Sequence, residues 1–170
     1  YPGWSQRDEV IKNGLINNGN TVVESPSPKL FTYDMQRRII DDFPQILTLL
    51  AFILLILLEI CVTFIHMTTN QSKWGNSDIL LSANASDYSV FVVVLWGFIY
   101  DIPVFMESHG GVYHSQIYGR EVLTEGEPVS YLLYWLDRTV IKSVDAYFVY
   151  SDNMRREFKS LFKIKSDHIK

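Results

Sequence analysis

Cysteine is nearly missing from this sequence: Cys61 is the only one in 170 residues. One thiol excludes an intrachain disulfide framework and a cysteine-rich zinc site. Cys61 lies in an apolar run, so a buried, inert thiol is expected there. Positive charge is also scarce. Lys and Arg number 15 against 19 Asp and Glu, a net charge of −4. With a pI near 5.5 and no basic stripe, nucleic acid is not expected as a partner. Neither G-x-G-x-x-G nor G-x-x-x-x-G-K-S/T occurs, so the main sequence signals for dinucleotide and P-loop sites are missing. No HExxH, HxxxH or close carboxylate pair points to a metal or to a two-acid hydrolase. There is no internal repeat and no low-complexity tract.

What is present is apolar. Hydrophobic residues make up 48% and aromatics 14%, against 20% charged. That balance excludes a disordered chain, and the length suits one domain. Tyr1-Pro2-Gly3-Trp4 reads as a loop entered from something upstream. Asp167-His168-Ile169-Lys170 reads as the start of an apolar strand. The domain over 1–170 is therefore expected to be incomplete at both ends.

The hydrophobic spacing alternates between helix and strand. Gln6–Asn18 reads as a helix capped by Ser5 and stopped at Gly19, followed by a short strand at Thr21–Glu24. Ile46–Ile65 is apolar over 20 residues with one formal charge, Glu59. Its length of about 30 Å matches a bilayer core. Its polar residues Thr48, Glu59, Cys61 and Thr63 form no continuous stripe in the sequence. Three placements fit such a helix: crossing a membrane, lying in its interface, or buried in protein. Strands are expected at Asp78–Ser82, Ile102–Met106 and Ala146–Tyr150. Helices are expected at Ser86–Tyr100, capped by Ser86 or Asp87 and ended by Asp101, at Ser130–Ser143 with Ser130 as cap, and at Asn153–Lys165. Val112–Pro128 reads as a long loop. The fold class is α/β: a Rossmann-like parallel sheet with helices on both faces.

Open parallel sheets bind ligands beyond the carboxyl ends of their strands. That rule selects Asn84 after one strand, Glu107-Ser108-His109-Gly110-Gly111 after the next, and Ser151 after the last. Ser5, Gln6 and Arg7, leading into a helix N-terminus, fall on the same edge. His109 is the candidate catalytic group, since imidazole donates, accepts or shuttles a proton near neutral pH. Gly110 and Gly111 let backbone N–H groups approach a ligand closely. His114, Arg120 and Glu121 read as solvated loop charges.

The layout resembles the N-terminal half of GT-B-fold glycosyltransferases of the large, mostly retaining type. Four segments carry the resemblance. Tyr1–Arg7 looks like the loop after that fold's first strand, and Gly14–Val23 like its helix-to-strand passage. Ile102-Pro103-Val104-Phe105-Met106-Glu107-Ser108-His109-Gly110 is similar to its strand-and-turn motif, with Asp101 where glycine is frequent. Val144–Arg155, with Asp145 and Ser151, resembles a later strand-to-helix passage. The resemblance implies sugar transfer from a nucleotide-sugar donor to a glycan or lipid-linked acceptor. It implies no cofactor, since the nucleotide-sugar is a co-substrate. It also implies a cytoplasmic location at the membrane surface. His109 would lie near the transferred sugar, and Ser5–Arg7 near the donor phosphates. The donor-binding half of that fold is absent from these residues, so the 170 residues alone are expected to be inactive.

A membrane-crossing helix at 46–65 conflicts with this layout, because it would separate residues that must share one sheet. A helix lying on or partly in the membrane, or packed under a neighbour, is expected instead. Two rival readings remain. His109-Gly110-Gly111 resembles the oxyanion segment of α/β-hydrolases, although no GxSxG elbow occurs. Alternatively the chain is a non-enzymatic integral membrane protein, with 46–65 as its span.

Overall fold

A computed structural model describes residues 13–14, 16–19, 33–82, 89–107, 112–114, 117–118, 123–164 and 169. Three short strands form a parallel sheet in the order β1-β2-β3: β1 is Leu80–Ser82, β2 Val104–Glu107 and β3 Ala146–Phe148. Ile169 bridges Tyr147 in parallel. Before the sheet come α1 (Tyr33–Asp42), α2 (Gln45–Thr69) and α3 (Gln71–Trp74). Between β1 and β2 lies α4 (Val90–Tyr100). Between β2 and β3 lie α5 (Val112–His114) and α6 (Pro128–Ser143), and α7 (Asp152–Leu161) follows β3. The expected α/β class with a parallel sheet is therefore present. The expected helix at 6–18 and strand at 21–24 lie mostly outside the described residues. Residues 13–14 and 16–17 are helical, and Gly19 stops that turn at φ 82°.

Register explains which face the strands bury. Leu80 pairs with Val104, and Met106 with both Ser82 and Tyr147. Leu80, Val104, Met106 and Tyr147 point to one side, and all are buried. α4 lies on that side, because Gly97 comes so close to Val104 that a Cβ would fall 2.3 Å from its Cγ2. α7 lies there too, with Phe158 6.0 Å from the Tyr147 ring. The opposite face carries Leu81 and Phe148, both exposed, with Phe105 between them. Coverage of both faces is expected; α4 and α7 lie on one face, and the other leaves Leu81 and Phe148 exposed. The strands step across the sheet in a single direction, and right-handed crossovers then all land on the same side.

Local chemistry sets the boundaries. Phe43 precedes Pro44, which disfavours helix and separates α1 from α2. Three β-branched residues, Val92-Val93-Val94, sit inside α4, where packing overrides their modest helix propensity. Asp101 ends α4 in the left-handed region at φ 55° and ψ 42°. Aspartate tolerates that region better than most residues. Ile102 N then donates to Gly97 O at 2.8 Å, closing the helix end. Ser130 is not the cap of α6. Glu127 holds that position in extended backbone, Pro128 follows it, and the Ser130 hydroxyl donates to Glu127 O at 2.7 Å. Proline suits the first turn because its missing N–H has no helical acceptor there.

The described residues of the stretch 112–128 are anchored to the domain. Tyr113, Ile117 and Leu123 are buried. Asp137, buried on α6, accepts the Tyr113 backbone N–H at 2.8 Å. His114 bonds Glu157 at 2.9 Å and lies 5.4 Å from both the Tyr118 and Phe158 rings. Arg120 and Glu121 lie outside the described residues. α6 also completes the end of α7. Tyr134 Oη donates to Leu161 O at 3.1 Å and Arg138 Nε to Phe162 O at 3.0 Å, satisfying carbonyls that a helix end leaves open.

The apolar helix α2 spans 25 residues. It packs against α1, α4 and α6, while α4 is what reaches β1 and β2. α2 therefore forms an outer layer. Its buried side carries Thr48, Phe52, Ile56, Glu59, Thr63 and Met67, the three-and-four spacing of one helix face. Thr48, Glu59 and Thr63 thus share a face that the sequence did not reveal. Cys61 falls on the other side and is exposed, not buried.

Candidate functional site

The carboxyl edge of the sheet is where the strands release the chain toward candidate ligands. Ser82, Glu107 and Phe148 end the three strands. Glu107 stands beside Phe148 in register, and Tyr150 follows one pleat later. The Tyr150 hydroxyl donates to Glu107 Oε1 at 2.6 Å, linking the exits of β2 and β3. A carboxylate held this way at a strand end suits acceptance of hydrogen bonds from hydroxyl-rich ligands. Tyr150 was not singled out from sequence. Its alternation with Phe148 is visible in the sequence, but the register of Phe148 with Glu107 is set by strand pairing.

β2 is pinned at its other end by Asp145. Val104 N donates to Asp145 Oδ2 at 2.8 Å, and Asp145 N donates to Val104 O at 2.9 Å. This two-way bond continues the β2–β3 ladder one step beyond β3. It helps fix the register that sets Glu107 beside Phe148 at the end of β2.

Ser151 lies at the same edge, with its oxygen already engaged. Its backbone is extended, and Oγ accepts from Met154 N at 3.1 Å as the N-cap of α7. Asp152 in the first turn is bonded by Arg155 at 2.6 Å. That carboxylate makes this helix start less hospitable to an anion than a bare N-terminus. Of the candidate residues, the structure describes Glu107 and Ser151 and puts both at the carboxyl edge. Ser5, Gln6, Arg7, Asn84, Ser108, His109, Gly110 and Gly111 lie outside the described residues. Among the described residues no cluster of His, Cys, Asp or Glu could hold a metal ion.

A second polar grouping involves Tyr118 and Glu125. Tyr118 donates its hydroxyl to Glu125. That bond, with burial and the Glu125 charge adding to it, pushes the Tyr118 pKa up to about 12. Burial, reinforced by Glu125, also raises Tyr113. The Tyr113 ring packs edge-on against Tyr118, Tyr134 and Phe162, and Phe162 in turn packs against Phe158. This cluster joins α5, α6 and α7.

No family model, curated protein or solved structure matches this chain.

Proposed function

We propose that this chain is the acceptor-side domain of a GT-B-type glycosyltransferase, moving a sugar from a nucleotide-sugar to a glycan or lipid-linked acceptor. The observation that carries the reading is the position of Ile102–Glu107, the described part of that motif. Its strand is the middle one of a parallel sheet, and its Glu107 emerges at the carboxyl edge beside the start of α7. In the resembling family the matching segment is a strand followed by a turn. Asp101 adds support: it sits at φ 55°, a backbone state that accounts for the frequent glycine at this motif position.

In this reading His109, two residues past Glu107, holds or moves a proton near the transferred sugar. Gly110 and Gly111 bring backbone donors to the ligand. Glu107, oriented by Tyr150, accepts hydroxyl hydrogen bonds from the acceptor. Ser5, Gln6 and Arg7 face the donor phosphates, while Asn84, Ser108 and Ser151 complete the rim. The test uses the full-length protein with labelled UDP- and GDP-hexoses and a membrane lipid extract. Labelled product is expected. His109→Ala is expected to lower transfer by about 100-fold or more with its circular dichroism unchanged. No labelled product from any donor, or unchanged turnover in the variant, overturns the proposal.

A further inference from the structure

The polarity of α2 is inverted. Its protein-facing side holds Thr48, Glu59 and Thr63, with Glu59 fully buried at 0% exposure. Its outward side shows Ile46, Leu47, Leu50, Leu54, Leu57, Leu58 and Ile65, all exposed, with Leu54 at 66%. Ordinary surface helices do the opposite, turning their charges to water. Only 28% of the most apolar 18-residue stretch is buried, so this helix is not the core of the domain. The exposed apolar surface continues onto α4, where Trp96 packs edge-on against Phe64 at 5.5 Å. There Leu95, Phe98 and Ile99 face outward, Phe98 at 86% exposure.

We infer that the outer face of α2, continued by α4, is embedded in the acyl region of a lipid bilayer, with α2 lying along one leaflet. Three observations select lipid as the occupant. First, the only charged side chain between Ile46 and Ile65 is turned into the protein. Ionisable groups of membrane-embedded helices are placed the same way. Second, the outward face carries no charge over its whole length, whereas a protein partner normally meets a polar rim. Third, α6, packed against α2, exposes Tyr131 and Trp135 at 66% and 59%. Amphipathic rings of these types favour the membrane–water boundary.

The lengthwise placement follows from the buried face. Residues from Thr48 to Met67 contact the rest of the protein, a stretch of about 28 Å. A crossing orientation would draw α6 into the hydrocarbon, together with Asp137, Arg138 and Lys142. With the helix in the interface, its protein side stays on the domain, and an outward face of Leu, Ile, Phe and Cys61, free of charge, enters lipid. This inference rests on packing and is independent of the proposed transfer reaction.

Cys61 offers a probe, being the only cysteine and exposed on this side. The full chain, labelled there with an environment-sensitive NBD fluorophore, is mixed with phosphatidylcholine vesicles. Emission is expected to shift to the blue and intensify, with little dependence on salt. Nitroxides high on the acyl chain are expected to quench more than nitroxides at its end. Leu54→Gln with Leu58→Gln is expected to lower vesicle partitioning by about 100-fold or more while helicity is retained. An unchanged spectrum with vesicles, or a blue shift produced by dimerisation without lipid, overturns the inference. Stronger quenching from the bilayer centre overturns the lengthwise placement. Failure of sugar transfer alone leaves these readouts unmoved.

Discussion

Replacing Gly97 by alanine drives a methyl group into the strand that leads to the candidate site. An ideal Cβ there falls 2.3 Å from Val104 Cγ2 and 2.7 Å from Ile102 O. Neither distance is tolerable, and the second partner is backbone, which cannot rotate away. Overpacking of a filled interior costs about 1–3 kcal/mol, and a backbone contact belongs at the upper end. Alanine returns about 1 kcal/mol of helix propensity in the interior of α4. The net expectation is a loss of about 2 kcal/mol. With a urea m-value of about 2 kcal/mol/M, the unfolding midpoint falls by about 1 M. The assay is urea unfolding followed by far-UV circular dichroism. Val104→Ala in the same chain removes the nearer contact, so the double variant is expected to lose less than the two single losses combined. An unchanged or raised midpoint for Gly97→Ala means that propensity alone decides, and the close approach of α4 to β2 is refuted.

Two further outcomes follow from the polar contacts. Asp145→Ala removes the acceptor for Val104 N and is expected to cost about 1 kcal/mol, with Asp145→Asn recovering part of it; equal urea midpoints for all three proteins would show that the clamp on β2 is inert. The bond to Glu125 raises Tyr118 from 10.0 to about 12. Its stabilisation is therefore complete below about pH 10 and disappears as the pH climbs through about 12. Glu125→Gln is expected to bring one tyrosine's ionisation back toward the ordinary range in an ultraviolet titration, and superimposable wild-type and variant curves would rule this coupling out.

Helix positions were easier to read from the sequence than their surroundings. The apolar run at 46–65 announced α2, and the turn chemistry around Asp101-Ile102-Pro103 announced the passage from α4 to β2. Residue order along one element carries that information. What α2 packs against does not lie in one element. The shared face of Thr48, Glu59 and Thr63 became visible only once α4 and α6 defined an inside, and Cys61 moved outward for the same reason. His114 reads from the sequence as a solvated loop charge, yet it bonds Glu157 and packs against Tyr118 and Phe158. Tyr113, Ile117 and Leu123 are buried, and Asp137, which comes much later in the chain, holds the Tyr113 backbone. At the site, Glu107 was selected from its strand end. Tyr150 was passed over because pairing between strands, not spacing within one, brings it to Glu107.

The strand order has a consequence for biosynthesis. β2 and β3 each pair with the strand made just before them, so each finds its described partner already synthesised. α2 has no such advantage. It leaves the ribosome early, yet two of the helices that cover its Glu59 side, α4 and α6, come after β1 and after β2. In that interval both sides of the helix lack their final neighbours. Cotranslational assembly of this protein is therefore limited by how long a finished, oily helix must wait for the rest of its own domain.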